Sequence, residues 1–263
     1  MKSGNAGEQL AVRGGIYMAT LDSVLSSEQS STNEITYRDE KIPRIRKIIA
    51  KNMCGSLSNM AQLTHMATFN ATAIMRARAQ LKASDDEAAH NVTYNDIILF
   101  VVSREIKNFP SLNAHWLDEK ECIRYFDNVH LGVATNTERG LLVPTLFSAD
   151  KKDLIQVSQE AKELATMAKT GKILPDYLVG ASFTVSNLGP NAVEFFTPII
   201  NPPQTGILGI GTMTYRVRPD DGDKIQVYPA MGLSLTFDHR AVDGAPAATF
   251  LKALCEALEN FSL

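Results

Sequence analysis

Apolar positions along this chain follow two spacings, and the spacing switches often. Ile45, Ile48, Ile49 and Met53 recur three to four residues apart, with Arg44, Arg46, Lys47 and Lys51 between them. That pattern predicts an amphipathic helix with Pro43 in its first turn. His65 to Ala73 alternates and predicts a strand, and Ile74 to Leu81 predicts a helix. Thr93 with Asp96 three residues on has the form of a capping box, so a buried helix is expected over Ile97 to Phe109, ended by Pro110. Strands are expected at Leu112–Leu117, Cys122–Phe126, Val129–Thr135 and Leu141–Leu146, with turns at Asp118-Glu119 and Glu138-Arg139-Gly140. Leu154, Val157, Ala161, Leu164 and Ala168 line one face of a helix expected over Asp150 to Lys169. Further strands are expected at Ser182–Ser186, Gly206–Thr212, Lys224–Val227 and Gly232–Phe237, then a closing helix over Asp243 to Leu258. Helices and strands are interspersed without a regular βαβ series. The expected fold is α+β, a two-layer sandwich with a mixed β-sheet rather than a doubly wound nucleotide fold.

Residues 1–40 have a different composition, rich in Ser, Gly, Asn, Thr and Glu, and are expected to be a flexible linker or tail with one short amphipathic stretch near Gly14 to Leu25. The folded part is expected to be 41–263. Over all 263 residues, 44% are hydrophobic and 21% charged, enough apolar content for a core. The net charge of −3 gives no footprint of a nucleic-acid binder. No apolar run reaches the roughly 18–20 residues of a membrane helix. Three scattered cysteines argue against a disulfide scaffold, and five histidines show no metal-ligand spacing, so no metal is expected.

Chemistry concentrates in Leu233 to Gly244, Leu-Ser-Leu-Thr-Phe-Asp-His-Arg-Ala-Val-Asp-Gly. An alternating strand delivers His239 at its end, and Asp243-Gly244 opens a helix four residues later. A histidine held rigidly by a sheet end suits general-base work. A lone histidine is more often structural. Asp243 is placed to cap the helix or to pair with an arginine, so that it holds the turn that aims His239. Gly206 to Gly211 is glycine-rich but leads into a strand, so it is no dinucleotide loop.

Five segments, with the Asp238-His239-Arg240 to Asp243-Gly244 run, stand in the order of a known family. They are Pro43 to Ala50, Phe109 to Ala114, Gly140 to Pro144, Ser182 to Gly189, and Phe196 to Pro203. Over Ile42 to Leu263 the chain resembles the catalytic core of the dihydrolipoamide acyltransferases, the second component of 2-oxo acid dehydrogenase complexes. The resemblance implies a fold like chloramphenicol acetyltransferase and transfer of an acyl group, acetyl foremost, between a lipoyl thiol and coenzyme A. It implies His239 as general base, Ser186 as oxyanion donor, and a site shared between adjacent subunits of a homotrimer. By family position Ser186, Asn187 and Gly211 would touch the pantetheine region, and Arg44, with Arg46 and Lys47, would meet coenzyme A phosphates. Arg44 has an ordinary reading too, as part of a solvated helix face. The lipoyl group would come from a separate domain or chain. Partners would be the decarboxylase and dihydrolipoamide dehydrogenase components, as in pyruvate dehydrogenase, around a 24-mer or 60-mer cage. The compartment would be bacterial cytoplasm or mitochondrial matrix. Asn70 and Asn136 depart from positions often acidic in the family. Two other readings stay open here: a non-catalytic core subunit, and a stand-alone O-acetyltransferase.

Overall fold

A computed structural model describes residues 35–219 and 224–263. Most of the expected linker therefore lies outside the described residues. Residues 42–263 form one compact unit.

Helix α1 (Arg44–Asn59) precedes strand β1 (Gln62–Asn70), and α2 (Thr72–Ala83) and the short α3 (Glu87–His90) follow. Pro43 stands at the N-cap of α1 rather than inside its first turn. Asn70 ends β1, and its side-chain oxygen accepts from Thr72 N at 3.0 Å across the turn into α2, whose N-cap is Ala71. Helix α4 (Tyr94–Glu105) begins with the expected Thr93/Asp96 capping box, and Ile97, Ile98, Leu99 and Val102 are fully buried. Strands β2 (Ala114–Leu117) and β3 (Cys122–Tyr125) form a hairpin. Beyond it run β4 (Leu131–Val133), β5 (Thr135–Thr137), β6 (Gly140–Leu142) and β7 (Thr145–Leu146). Helix α5 (Leu154–Lys169) starts later than expected, because Asp153 and Gln156 make its capping box. Then come β8 (Phe183–Asn187), β9 (Gly206–Pro219), β10 (Ile225–Asp238) and α6 (Gly244–Glu259).

The main sheet has six strands in the order β1-β10-β9-β8-β4-β7. It is mixed: β8 runs parallel to β4 and to β9, and the other pairs are antiparallel. Apolar residues on the inner side of α4, α5 and α6 share one core with the sheet, including Leu233, Leu235 and Phe237 of β10. The opposite face of β10 is buried too, but polar. Ser234, Thr236 and Asp238 are each no more than 2% exposed. Thr236 meets Thr64 of β1 hydroxyl to hydroxyl at 2.8 Å. The segment Glu194 to Phe196 covers that face. Gly209, Gly211 and Gly232 make the close approach possible; a Cβ on Gly211 would stand 2.0 Å from Glu194 O.

Candidate active site

β10 is central, so both neighbours fix its C-terminal end. Gln62 of β1 pairs with Asp238, and Gly206 of β9 pairs with Phe237. The turn that follows is tied down by backbone bonds. His239 N donates to Ala61 O at 2.8 Å, and Ala241 N and Val242 N donate to Asp238 O at 2.9 and 3.0 Å. The Asp238 carboxylate is fully buried. It accepts from Ala61 N at 3.2 Å, from Arg240 N at 3.1 Å, and from Arg240 Nη2 at 2.7 Å. The Arg240 guanidinium lies 4.8 Å from the Trp116 ring centre and also reaches Asp118 at 3.3 Å. Its hydrogen bonds to Asp238 raise its pKa further above the ordinary arginine value. The geometry of the turn is thus set by a buried, forked ion pair.

On this rigid turn the His239 side chain is 44% exposed. Its Nδ1 faces the Asp243 carboxylate at 3.9 Å, longer than a hydrogen bond. Nε2 is the ring nitrogen away from that contact. The expectation that the Asp243 side chain caps the last helix, or pairs with an arginine, is corrected here. Asp243 occupies the N-cap of α6 with extended backbone, but its side chain makes no capping bond and is 84% exposed. Asp238, not Asp243, pairs with the arginine and holds the turn.

Ser186 sits elsewhere. It is half-buried near the end of β8 and opens on a cleft of about 440 Å³ lined by Ile45, Ile49, Leu141, Phe196 and Pro198. Ser186 is level with Gly209, and Gly209 with Ser234. His239 lies five residues past Ser234 and two strands across. At about 3.3 Å per residue and about 4.8 Å per strand, the two Cα atoms are roughly 15–20 Å apart. One protomer therefore does not bring this histidine and this serine together.

The other expected binding residues have local roles in the protomer. Asn187 Nδ2 donates to Asn95 at 3.0 Å, and its Oδ1 accepts from Gly189 N at 2.8 Å, so this amide braces the β8 turn. Gly211 is covered by Glu194 and presents no open surface. Arg44 opens α1 and is exposed, as are Arg46 and Lys47. Asn136 is exposed on β5. Among the described residues, no group of three or more His, Cys, Asp or Glu side chains converges as a metal site. Two residues escaped the sequence reading, Asp238 and His65. The signal for Asp238 was the polar row Ser234, Thr236, Asp238 at every second position.

A family model described as 2-oxoacid dehydrogenases acyltransferase (catalytic domain) matches residues 34–263. The chain is 35% identical over 240 residues to a Rickettsia bellii dihydrolipoyllysine-residue acetyltransferase component of pyruvate dehydrogenase complex, covering 91% of this chain and 57% of that one. It is 40% identical over 217 residues to the corresponding component of the Bacillus subtilis acetoin cleaving system, covering 82% and 54%. The chain thus spans a little over half the length of these relatives. Among solved structures, Azotobacter vinelandii dihydrolipoamide acetyltransferase matches with TM-score 0.82 and 32% identity, covering 88% of this chain and 95% of that one. That crystallographic work concerns the role of a serine, a histidine and an asparagine four residues after it in the catalytic mechanism. The cubic core of a pyruvate dehydrogenase multienzyme complex matches with TM-score 0.81 and 31% identity over 88% and 95%. A chloramphenicol acetyltransferase matches at TM-score 0.51 and 15% identity over 85% and 99%, which shares the fold alone.

Proposed function

Because the chain belongs to the 2-oxo acid dehydrogenase acyltransferase family, catalytic domain, we propose that it transfers an acetyl group between a dihydrolipoyl thiol and coenzyme A. Residues 41–263 are the catalytic domain on this reading, and 1–40 a linker. One observation carries the proposal: an accessible imidazole, fixed through its backbone at a sheet end, with Asp243 3.9 Å from Nδ1 and no partner at Nε2 among the described residues.

His239 Nε2 removes the proton from the attacking thiol. An ordinary thiol, with pKa about 8.5, is mostly protonated at neutral pH, so this help matters. The sulfur bonds to the thioester carbon, and negative charge moves to the carbonyl oxygen. The Ser186 hydroxyl of a neighbouring protomer donates to that oxyanion; one such donor is worth about 3–4 kcal/mol of barrier. Collapse expels the other thiolate, which takes the proton back from His239. No water enters the balance. Asp243 stands at the same offset from His239 as the asparagine does from the histidine in the Azotobacter enzyme, which supports a positioning role beside Nδ1. Arg44 and Lys47, one turn apart and exposed on α1, are placed to meet coenzyme A phosphates, with Arg46 exposed beside them. Asn187 and Gly211 act on the pantetheine indirectly, through the turn and the covering segment they hold.

The 15–20 Å separation estimated above supports a site completed between copies in a homotrimer. The cubic-core relative supports further assembly into a cage, of 24 or 60 copies by the resemblance noted above. The lipoyl group is supplied on a separate domain or chain, and the decarboxylase and dihydrolipoamide dehydrogenase components are the expected partners. The relatives described come from bacteria, which supports the cytoplasm as compartment.

The test is thiol release with acetyl-, succinyl- and isobutyryl-coenzyme A against dihydrolipoamide. Acetyl is expected to be fastest, and His239→Ala to lower turnover about 100-fold or more. Near-normal turnover in that variant would remove the assignment.

A further inference from the structure

His65 is the second imidazole near this site. It lies on β1, opposite Leu235 of β10. Its ring stands edge-on to Phe237, 4.9 Å between centres, and Phe237 in turn lies 5.8 Å from the His239 ring. The two histidines flank the same bare spot. A Cβ placed on Gly244 would be 3.9 Å from His65 Nε2 and 4.0 Å from His239 Nε2. Gly244, the first residue of α6, carries no side chain there, so the space between the rings stays open.

His65 Nδ1 is buried and has no hydrogen-bond partner among the described residues. An unpaired buried polar atom costs stability, and a leucine or phenylalanine would fill the place without that cost. A hydrogen placed on Nδ1 would be a buried donor with no acceptor among the described residues. Nε2, the atom beside the open spot, is the ring nitrogen left to carry the hydrogen. On the far side of that spot stands His239 Nε2, the proton acceptor of the acyl-transfer reading. A donor and an acceptor thus face one gap.

We propose that His65 is a further catalytic residue, whose Nε2–H donates to the sulfur of the attacking thiol while His239 takes its proton. The inference rests on the acyl-transfer reading above. In the step, the S–H bond breaks and its proton goes to His239 Nε2. The sulfur electron pair forms the new S–C bond. His65 keeps its own proton throughout and stabilises the thiolate as it develops.

The test uses the full chain and acetyl-coenzyme A, with two acceptors, dihydrolipoamide and the more acidic trifluoroethanethiol. Melting temperature is read alongside. His65→Gln carries an amide nitrogen toward the place of Nε2, and His65→Asn carries its nitrogen only toward the place of Nδ1. With dihydrolipoamide, His65→Leu and His65→Asn are expected to lower kcat about 10- to 100-fold with little change in KM, and His65→Gln to recover most of the loss. With trifluoroethanethiol the loss is expected to shrink, because its thiolate needs less help. Equal kcat for the glutamine and asparagine variants, or an equal loss with both thiols, would overturn the role of His65. That result would leave the general reading standing if His239→Ala is inactive. An inactive wild type would instead remove the acyl-transfer reading, and this inference with it.

Discussion

Asp238 and Arg240 decide whether His239 points anywhere useful. The carboxylate is out of solvent, and Arg240 supplies its only side-chain donors among the described residues. Arg240→Met would leave that carboxylate buried and unpaired, and breaking a buried pair from one side costs about 3–5 kcal/mol. The denaturant midpoint is therefore expected to fall sharply and kcat with it; a midpoint within error of wild type would show that the pair does not hold the turn. Arg240→Lys is a poor rescue, because an ammonium neither forks onto Asp238 nor stacks on Trp116. At this scale the sequence was partly legible. His239 stood out because a strand pattern ends on it and a helix starts four residues later. The choice between the two flanking carboxylates was not legible in the same way. Asp243 has the right residue type for a cap, yet its side chain leans toward the imidazole. Asp238 looks like a surface residue at a strand end, and only burial on both faces of β10 turns it inward. His65 was hidden for a related reason: on an edge strand, alternation says which face a residue takes but not what lies beneath it.

At the scale of elements, the aromatic packing around β2, β3 and β4 makes stability depend on pH. His115 and His130 both pack edge-on with Phe126, 4.6 and 5.8 Å between ring centres. His115 Nε2 meets Ala181 O at 2.7 Å, and His130 Nδ1 accepts from Ser148 N at 3.0 Å. Burial, the largest cause for each, lowers both pKa values. In the unfolded chain a histidine titrates near pH ~6.5. The unfolded state therefore binds more protons between that value and the folded ones. The contribution to stability is complete above pH ~6.5 and is lost as pH falls through the lowered values. Asp150, whose pKa is also lowered from 3.8, acts only at more acid pH and leaves this window clear. Denaturant midpoints between pH 8 and 5 are expected to fall. His130→Asn, whose oxygen still accepts from Ser148, is expected to flatten the fall; an unchanged slope would assign it elsewhere. Both capping boxes and the apolar faces of α5 and α6 follow the sequence pattern closely. The strands diverge where proline and glycine act through tertiary context. Pro144 divides the expected strand Leu141–Leu146 into β6 and β7. Pro229 and Gly232 read as a break, yet β10 runs through both. Pro229 lies just past the end of β1, where only its carbonyl is bonded on that side, from Ala71 N, so no ladder N–H is lost, and Gly232 sits at a bulge pressed against Glu194.

At the scale of the whole molecule, the protomer looks unfinished. Ile48 and Leu57 of α1 are more than half exposed, as are Tyr215, Val217, Ile225 and Val227 on the projecting ends of β9 and β10. Exposed apolar groups clustered in this way mark surfaces that another chain covers. The two halves of the proposed chemistry are also apart, His239 at one end of β10 and Ser186 in the cleft beneath α1. Sequence order could not reveal this separation, because distance along a chain says little about distance in space; the sheet register shows it within one protomer. A shared site makes a quantitative claim about mixed assemblies. Chains carrying His239→Ala and chains carrying Ser186→Ala are each expected to be nearly inactive alone. When they are co-expressed in equal amounts, each site of the proposed homotrimer would draw its histidine from one protomer and its serine from the next. Random mixing gives an intact histidine in half of the sites and an intact serine, independently, in half, so about one quarter of wild-type activity should return. If both groups served one protomer, no mixture would exceed the two variants measured separately. Light scattering on the same samples checks that mixing leaves the assembly size unchanged, so that recovered turnover reports complementation between chains.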